Sequence, residues 1–525
     1  MSWKDRLEIS PGVFFPAVIV IGLFVILGVF FTEATEVLFD AVQSGIINNF
    51  GWFYILSVAF FLFFVVVLFF SPWGSIKLGE DDSEPEYSYL SWFAMLFSAG
   101  MGIGLVFWSV AEPMFYFLDS PTAENQTAEA ASEAMRLTFF HWGVHAWAIY
   151  IVVGLSLAYF SFRKGLPLSI RSAFHPLLGD RIHGPIGHVI DVLAIFGTVF
   201  GVATSLGLGV MQVAAGLDYL LDLGMEDAIG LQLGLIAVIT LVATGSVVAG
   251  LDKGIRRLSN FNMTVAVVLV LFVFTVGPTV FILNNWVENT GNYIQSLVGA
   301  TFWIDAWGDG EWHGSWTLFY WGWWIAWSPF VGMFIARVSR GRTIREFIGG
   351  VLLVPAAFTT FWLTTFGNSG LLRQLSGEGG FSGMAAEEML FALLQGFPLS
   401  AVTSILAMIV IIAFFVTSSD SGSLVIDMLA SGGNPDPPTI QRVFWALLEG
   451  LVAGVLLWAG GLGALQTAAI ATGLPFAAVL VVMCISLLIA LRSEGRDRGR
   501  IRKVYPARSR ESVASQADSS QGEDS

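Results

Sequence analysis

The chain has 525 residues, of which 55% are hydrophobic and only 12% charged, with a formal net charge of −15 and a single cysteine, Cys484. Apolar runs near the twenty residues needed to cross a bilayer recur along it, which excludes an ordinary soluble domain and points to a polytopic membrane protein. The lone cysteine excludes an intrachain disulfide, the acidic balance gives no reason to expect a nucleic-acid partner, and no catalytic constellation stands out.

In lipid every backbone polar group must be satisfied internally, and these long, unalternated runs have helical rather than barrel-strand length, so an all-α fold is expected. The first run, 13–31, exceeds a signal-peptide core and leads into Thr32-Glu33-Ala34-Thr35 rather than a cleavage site, so it reads as a retained helix. Further spans are expected near 51–70, 90–117, 138–160, 186–217, 228–250, 264–283, 315–336, 347–367, 400–428, 442–459 and 467–491, which makes twelve. They divide the chain into a cytoplasmic N-terminus (1–12), two peripheral spans (13–89), a ten-span core (90–491) and a tail (492–525). With the N-terminus inside, 23 of the 25 Lys and Arg fall on the inner side, and only Arg136 and Arg373 fall outside. That asymmetry supports the count and places both termini in the cytoplasm of a cell membrane. The outer loops are strongly acidic, which fits hydration in concentrated salt, as in a prokaryote of a saline habitat, or the steering of cationic ligands.

The third span carries SAGMGIGLVFW, with Gly100, Gly102 and Gly104 at alternate positions, each weakening a helix by about 1 kcal/mol relative to alanine. An unwound stretch is expected there, and in a membrane that is tolerated where backbone lines a cavity and its carbonyls and amides hold an ion or a carboxylate. The fourth span carries FHWGVHAWAIY, with Trp142, Trp147 and Tyr150 in mid-helix. His141 and His145, four apart, have no evident third metal ligand and read as packing and hydrogen-bonding groups.

In the eighth span, YWGWWIAWSPF places Trp321, Trp323, Trp324 and Trp327 within seven positions. Trp324 falls near the midplane, too deep for an interfacial belt, for which Trp303, Trp307, Trp312 and Trp316 are the better candidates. Two aromatic faces on two helices predict a cage for a quaternary ammonium, which needs electron-rich rings and apolar walls but no carboxylate. In the tenth span, FFVTSSDSGS sets Thr417, Ser418, Ser419, Asp420 and Ser421 into apolar sequence, oxygens suited to a hard cation such as sodium. Asp420 is a functional candidate as an intramembrane acid, in the site or in an inner vestibule. The tail has eight basic residues over 492–510, expected to rest on anionic lipid, and then turns to a composition that cannot bury a core.

At these motifs the chain resembles the betaine/choline/carnitine transporter family, over 10–492. The likeness rests on GMGIG at Gly100, FHWxxHxWAIYxxVG from Phe139, GTVFGVATSLGLG from Gly197, KGIRRLSNFNM from Lys253, the long motif from Phe319 and FFVTSSDS from Phe414. The resemblance implies two inverted five-helix repeats, spans three to seven and eight to twelve, and often a homotrimer. It implies an aromatic box of Trp142, Trp147, Tyr150 and Trp324, with Trp323 and Trp327 as further ammonium contacts; Gly100, Met101, Gly102, Gly104 and Ser205 complete the expected substrate site. It implies a first sodium at Ser98, Met101, Phe414, Thr417 and Ser418. A second would use Thr198, position 202 and Phe330, but position 202 is Val202, which has no hydroxyl, so Thr204 or Ser205 would have to substitute. Gly104 stands where proton-coupled choline carriers have an acid, and no arginine stands at 260–264 where sodium-independent exchangers have one. The reading is therefore sodium symport of glycine betaine, an osmoregulatory compatible solute. The alternatives are a carrier of choline, carnitine, proline or ectoine, or an osmosensor that binds betaine without moving it.

Overall fold

The computed structural model describes residues 7–100, 102–224, 229–248, 252–308 and 310–504, with the side chains of 97–100, 252–257 and 495–504 outside that description. Among the described residues there is no strand; one antiparallel bridge pairs Lys77 with Thr343. The helices are α1 (Pro11–Phe30), α2 (Thr32–Phe70), α3 (Tyr89–Gly100), α4 (Ile103–Leu118), α5 (Ala128–Trp142), α6 (Val144–Ala158), α7 (His175–Leu178), α8 (Pro185–Leu221) and α9 (Ile229–Val248). They continue as α10 (Asp252–Val276), α11 (Thr279–Phe302), α12 (Glu311–Ser315), α13 (Thr317–Val338), α14 (Ile344–Leu375), α15 (Met389–Gln395), α16 (Ser400–Ala430) and α17 (Thr439–Val504).

Nine helices among the described residues are long and apolar enough to cross a membrane, against the twelve expected. The difference lies in three places. The third expected span is divided between α3 and α4; α13, rich in Trp and Tyr, is less hydropathic than its burial implies; and α17 joins the last two expected spans. That helix turns sharply at Gly461, whose φ of 55° and ψ of −132° favour glycine. Exposed Phe15, Ile19 and Leu23 on α1 and Val238, Leu241 and Val242 on α9 give the molecule an apolar exterior suited to lipid. It is a multi-pass membrane protein.

Three expectations need correction. The segment 32–50, expected as a loop, is the first half of α2. The segment 284–314 holds most of α11, a polar, half-exposed helix laid against α5 and α14, so it lacks the apolar run that marks a span. The fourth span is broken at Gly143 (φ −89°, ψ −142°), because Val144 N donates to the Tyr293 hydroxyl of α11 at 3.1 Å instead of continuing α5. A Cβ at Gly143 would stand 2.5 Å from that hydroxyl, so glycine is what lets the two chains approach.

The core forms around α13, whose residues 317–333 are all buried between α6, α8 and α17. Small residues allow the close crossings: a Cβ on Gly154 of α6 would be 3.1 Å from the Gly332 carbonyl oxygen of α13, and one on Gly322 would be 2.8 Å from Ile470 of α17. Helix α14 starts at a capping box in which Thr343 and Glu346 satisfy each other's backbone N–H groups. At the same end of the bundle α17 is fastened by Glu494, which accepts from Tyr159 at 2.6 Å and Arg163 at 2.5 Å and pairs with Lys164 at 3.0 Å. Arg163 also donates to the Gly79 carbonyl and to Asp81, in the segment leading to α3.

Candidate substrate-binding site

The indoles of α13 meet those of α5 and α6 inside the bundle. Trp324 stacks on Trp323 at 4.8 Å and 11°, and Trp142 stands edge-on to Trp324 at 4.8 Å and 72°. Tyr150 lies 6.3 Å from Trp324 at 77°, and Trp147 is joined to it at 5.5 Å and 79°. The rings thus form walls at near-right angles, the arrangement in which several π faces can turn toward one cation. Two indole N–H groups are anchored to backbone: Trp324 donates to the His141 carbonyl and Trp327 to the Gly201 carbonyl, each at 2.9 Å. Trp321 faces away from this group, stacked on His145 at 5.5 Å and set against Phe140 at 5.2 Å, which makes it a packing residue. Of the belt candidates only Trp307 is fully exposed; Trp312 and Trp316 pack on Tyr116.

Behind the box lies a carboxylate that the motifs did not announce. Glu112 of α4 has no exposed surface and accepts from Tyr116 at 3.0 Å, Trp142 Nε1 at 2.6 Å and Tyr320 at 2.5 Å, with His141 Nδ1 at 2.9 Å. His141 is turned in place by Thr317 at 3.1 Å from its other nitrogen, while His145 contacts Thr301 at 2.8 Å. Four polar groups converging on one acid fix the azimuths of Trp142 and Tyr320.

Gly102 is extended (φ −144°, ψ −178°), and α4 begins only at Ile103. The expected break in the third span is therefore present, and the first N–H groups of α4 lack intrahelical acceptors. The glycines have a second use: a Cβ on Gly102 would meet the Trp327 ring at 3.0 Å, and one on Gly104 would overlap the Trp323 ring. Met101 lies outside the described residues, as does the side chain of Ser98.

Of the expected cation oxygens, those of Thr417 on α16 and of Thr198 and Ser205 on α8 have their hydroxyls turned back along their own helices. Thr417 donates to the carbonyls of Ala413 (2.9 Å) and Phe414 (3.2 Å), Thr198 to Ala194 (2.8 Å) and Ser205 to Gly201 (3.3 Å). Phe414 and Ser418 are buried on α16, and Phe330 stands 5.4 Å from Trp327. Thr204 bonds to Phe200 and, at 3.1 Å, to the Leu465 carbonyl of α17, so its oxygen is directed away from the face that carries Val202. Asp420 is not a free vestibular acid: Arg442 holds it at 2.6 Å and Ser246 at 2.9 Å.

Over residues 12–496 the chain matches the family described as BCCT, betaine/carnitine/choline family transporter. It belongs to that family. The transporter is 47% identical over 502 residues to the glycine betaine transporter OpuD of Bacillus subtilis, covering 95% of this chain and 98% of the relative. It is 46% identical over 502 residues to a glycine betaine transporter of Acinetobacter baylyi (95% and 76% covered). It is 49% identical over 468 residues to a glycine betaine/proline/choline/ectoine transporter of Vibrio parahaemolyticus (87% and 82% covered). Family and relatives alike are transporters and not enzymes.

In this transporter the motifs located Trp142, Tyr150, Trp323 and Trp324 as one group, with Trp147 attached through Tyr150. They did not find Glu112 or Tyr320. The available signal was a single acid within the apolar run VAEPMF, a position where an ionisable side chain is a functional candidate by default.

Proposed function

We propose that this transporter imports glycine betaine by sodium symport. The observation that carries the reading is the ring group of Trp142, Tyr150, Trp323 and Trp324 beside the interrupted helix at Gly102. A trimethylammonium group exchanges water for ring faces, backed by Glu112, and the substrate's own carboxylate is suited to the N–H groups at the start of α4. Sodium, as cargo, would use the oxygens of Thr417 and Ser418 with Ser98, Met101 and Phe414, the set the family resemblance implies. The names of the Bacillus and Acinetobacter relatives support betaine, and that of the Vibrio relative favours a second reading with proline, choline or ectoine as further substrates.

On this reading α3 with α4, α13 and the two halves of α17 each cross the bilayer, giving twelve spans in two inverted repeats, both termini cytoplasmic, in a homotrimer whose basic tail rests on anionic lipid. One sodium moving down about 100 mV contributes roughly 2.3 kcal/mol and a tenfold gradient about 1.4 more, enough for about 500-fold accumulation. The test is uptake of labelled betaine into proteoliposomes, in sodium and in potassium media, with unlabelled choline, carnitine, proline and ectoine as competitors. Uptake that needs sodium and is blocked best by betaine is expected; the same uptake in potassium would remove sodium from the mechanism.

A further inference from the structure

Glu449 of α17 has no exposed surface. Its Oε2 accepts the Ser419 hydroxyl of α16 at 3.0 Å, and its Oε1 has no hydrogen-bond partner among the described residues. That oxygen faces the contact of three helices: a Cβ built on Gly422 of α16 would stand 2.9 Å from Oε1 and 3.2 Å from a methyl of Val202 on α8. The charged group that bears on it is Asp420 of α16, whose own charge is held by Arg442 of α17 and Ser246 of α9. On the α8 side of Gly422 stands the apolar Val202. An ionised carboxylate with a single hydroxyl donor, deep among apolar helices, is unfavourable unless a cation joins it.

We propose that Glu449 Oε1 takes one monovalent cation, sodium or a proton, during transport, at a position bounded by Ser419, Gly422 and Val202. The proposal rests on the symport reading above. Ser419 lies on a different face of α16 from Thr417 and Ser418, so this is a position distinct from the oxygens of the first sodium, and Gly422 sets it beside Val202 of α8. Binding joins a cation to an anionic oxygen and leaves the pair neutral, which removes the burial cost while the helices rearrange. Sodium and a proton share this chemistry. They differ in which gradient they draw on.

The test uses the full chain in proteoliposomes, wild type beside Glu449→Gln, reading betaine uptake against sodium concentration and against an imposed pH gradient. If sodium occupies Oε1, the variant's sodium half-saturation should rise about tenfold. If a proton does, the sodium curve should stay and the dependence on the pH gradient should disappear. A variant equal to wild type in both curves overturns the proposal. Should Glu449→Gln not yield folded protein, Ser419→Ala keeps the carboxylate but removes its donor, and should move one of the two half-saturation points by about threefold; no movement in either overturns the proposal as well. A wild type indifferent to sodium would instead count against the symport reading, so the two failures are distinct.

Discussion

Trp142 gives its indole N–H to Glu112 Oε2 at 2.6 Å while its ring stands at 72° to Trp324. One bond therefore couples a buried acid on α4 to the angle of a box wall contributed by α5. Glu112→Gln replaces one acceptor by an NH2 facing the donors Trp142 and Tyr320, and so disturbs the bonds that set both rings. Betaine affinity, read by tryptophan fluorescence titration, should fall about tenfold, or ~1.4 kcal/mol. Glu112→Asp, which keeps the carboxyl group but shortens the reach, should recover part of it. Wild-type affinity in Glu112→Gln would make the acid a structural element alone.

The rings themselves should be unequal in effect. Trp142→Leu and Trp324→Leu are each expected to weaken betaine binding by roughly 1–2 kcal/mol, the range for cation–π contacts in a desolvated site. Trp321→Leu, which loses contacts to His145 and Phe140 instead, should lower the unfolding temperature and leave affinity unchanged. Equal losses in all three titrations would contradict the division.

Gly104→Asp brings a carboxylate toward the site but also pushes on the Trp323 ring. The two effects can be separated by Gly104→Ala, which pushes without the charge. Betaine affinity should drop in both, and only the aspartate variant should rank choline above betaine, since its charge attracts a cation and repels a zwitterion's carboxylate. Competition of both solutes in one uptake assay reads the ranking.

The tail should be separable from the core. Glu494, held by Tyr159, Arg163 and Lys164, ties down α17 before the basic run begins in earnest. Deleting 496–525 should thus leave transport intact and flatten its dependence on osmolality and on anionic lipid fraction, because the basic run would lie in a screened surface potential. Identical activation curves for the two proteins would reduce the tail to a topology signal.

Much of the architecture was legible because hydropathy and length report the bilayer directly, and four indoles within seven positions of mid-helix have few other uses. What escaped depended on distant residues. Helix α11 carries NNWVENTGNYIQS, too polar for a span, and is held at the surface by α5 and α14. The break at Gly143 needs the Tyr293 hydroxyl, which nothing near Gly143 in sequence foretells. Glu112 was visible as one acid, but its partners lie on α5 and α13 as well as on its own helix. Likewise Thr204 was a conceivable stand-in for the missing oxygen at Val202 until its hydroxyl was seen to bond Leu465 across the helix contact.

On the proposed symport, the ring group and the α16 oxygens serve one coupled translocation of betaine with sodium. Counterflow isolates that step: proteoliposomes loaded with unlabelled betaine are diluted into labelled betaine, with sodium or with potassium on both sides. A transient accumulation of label is expected in sodium, abolished in potassium and greatly reduced in Trp324→Leu. Betaine binding without any exchange of label would rule out transport, and an overshoot of the same height in potassium would rule out sodium coupling.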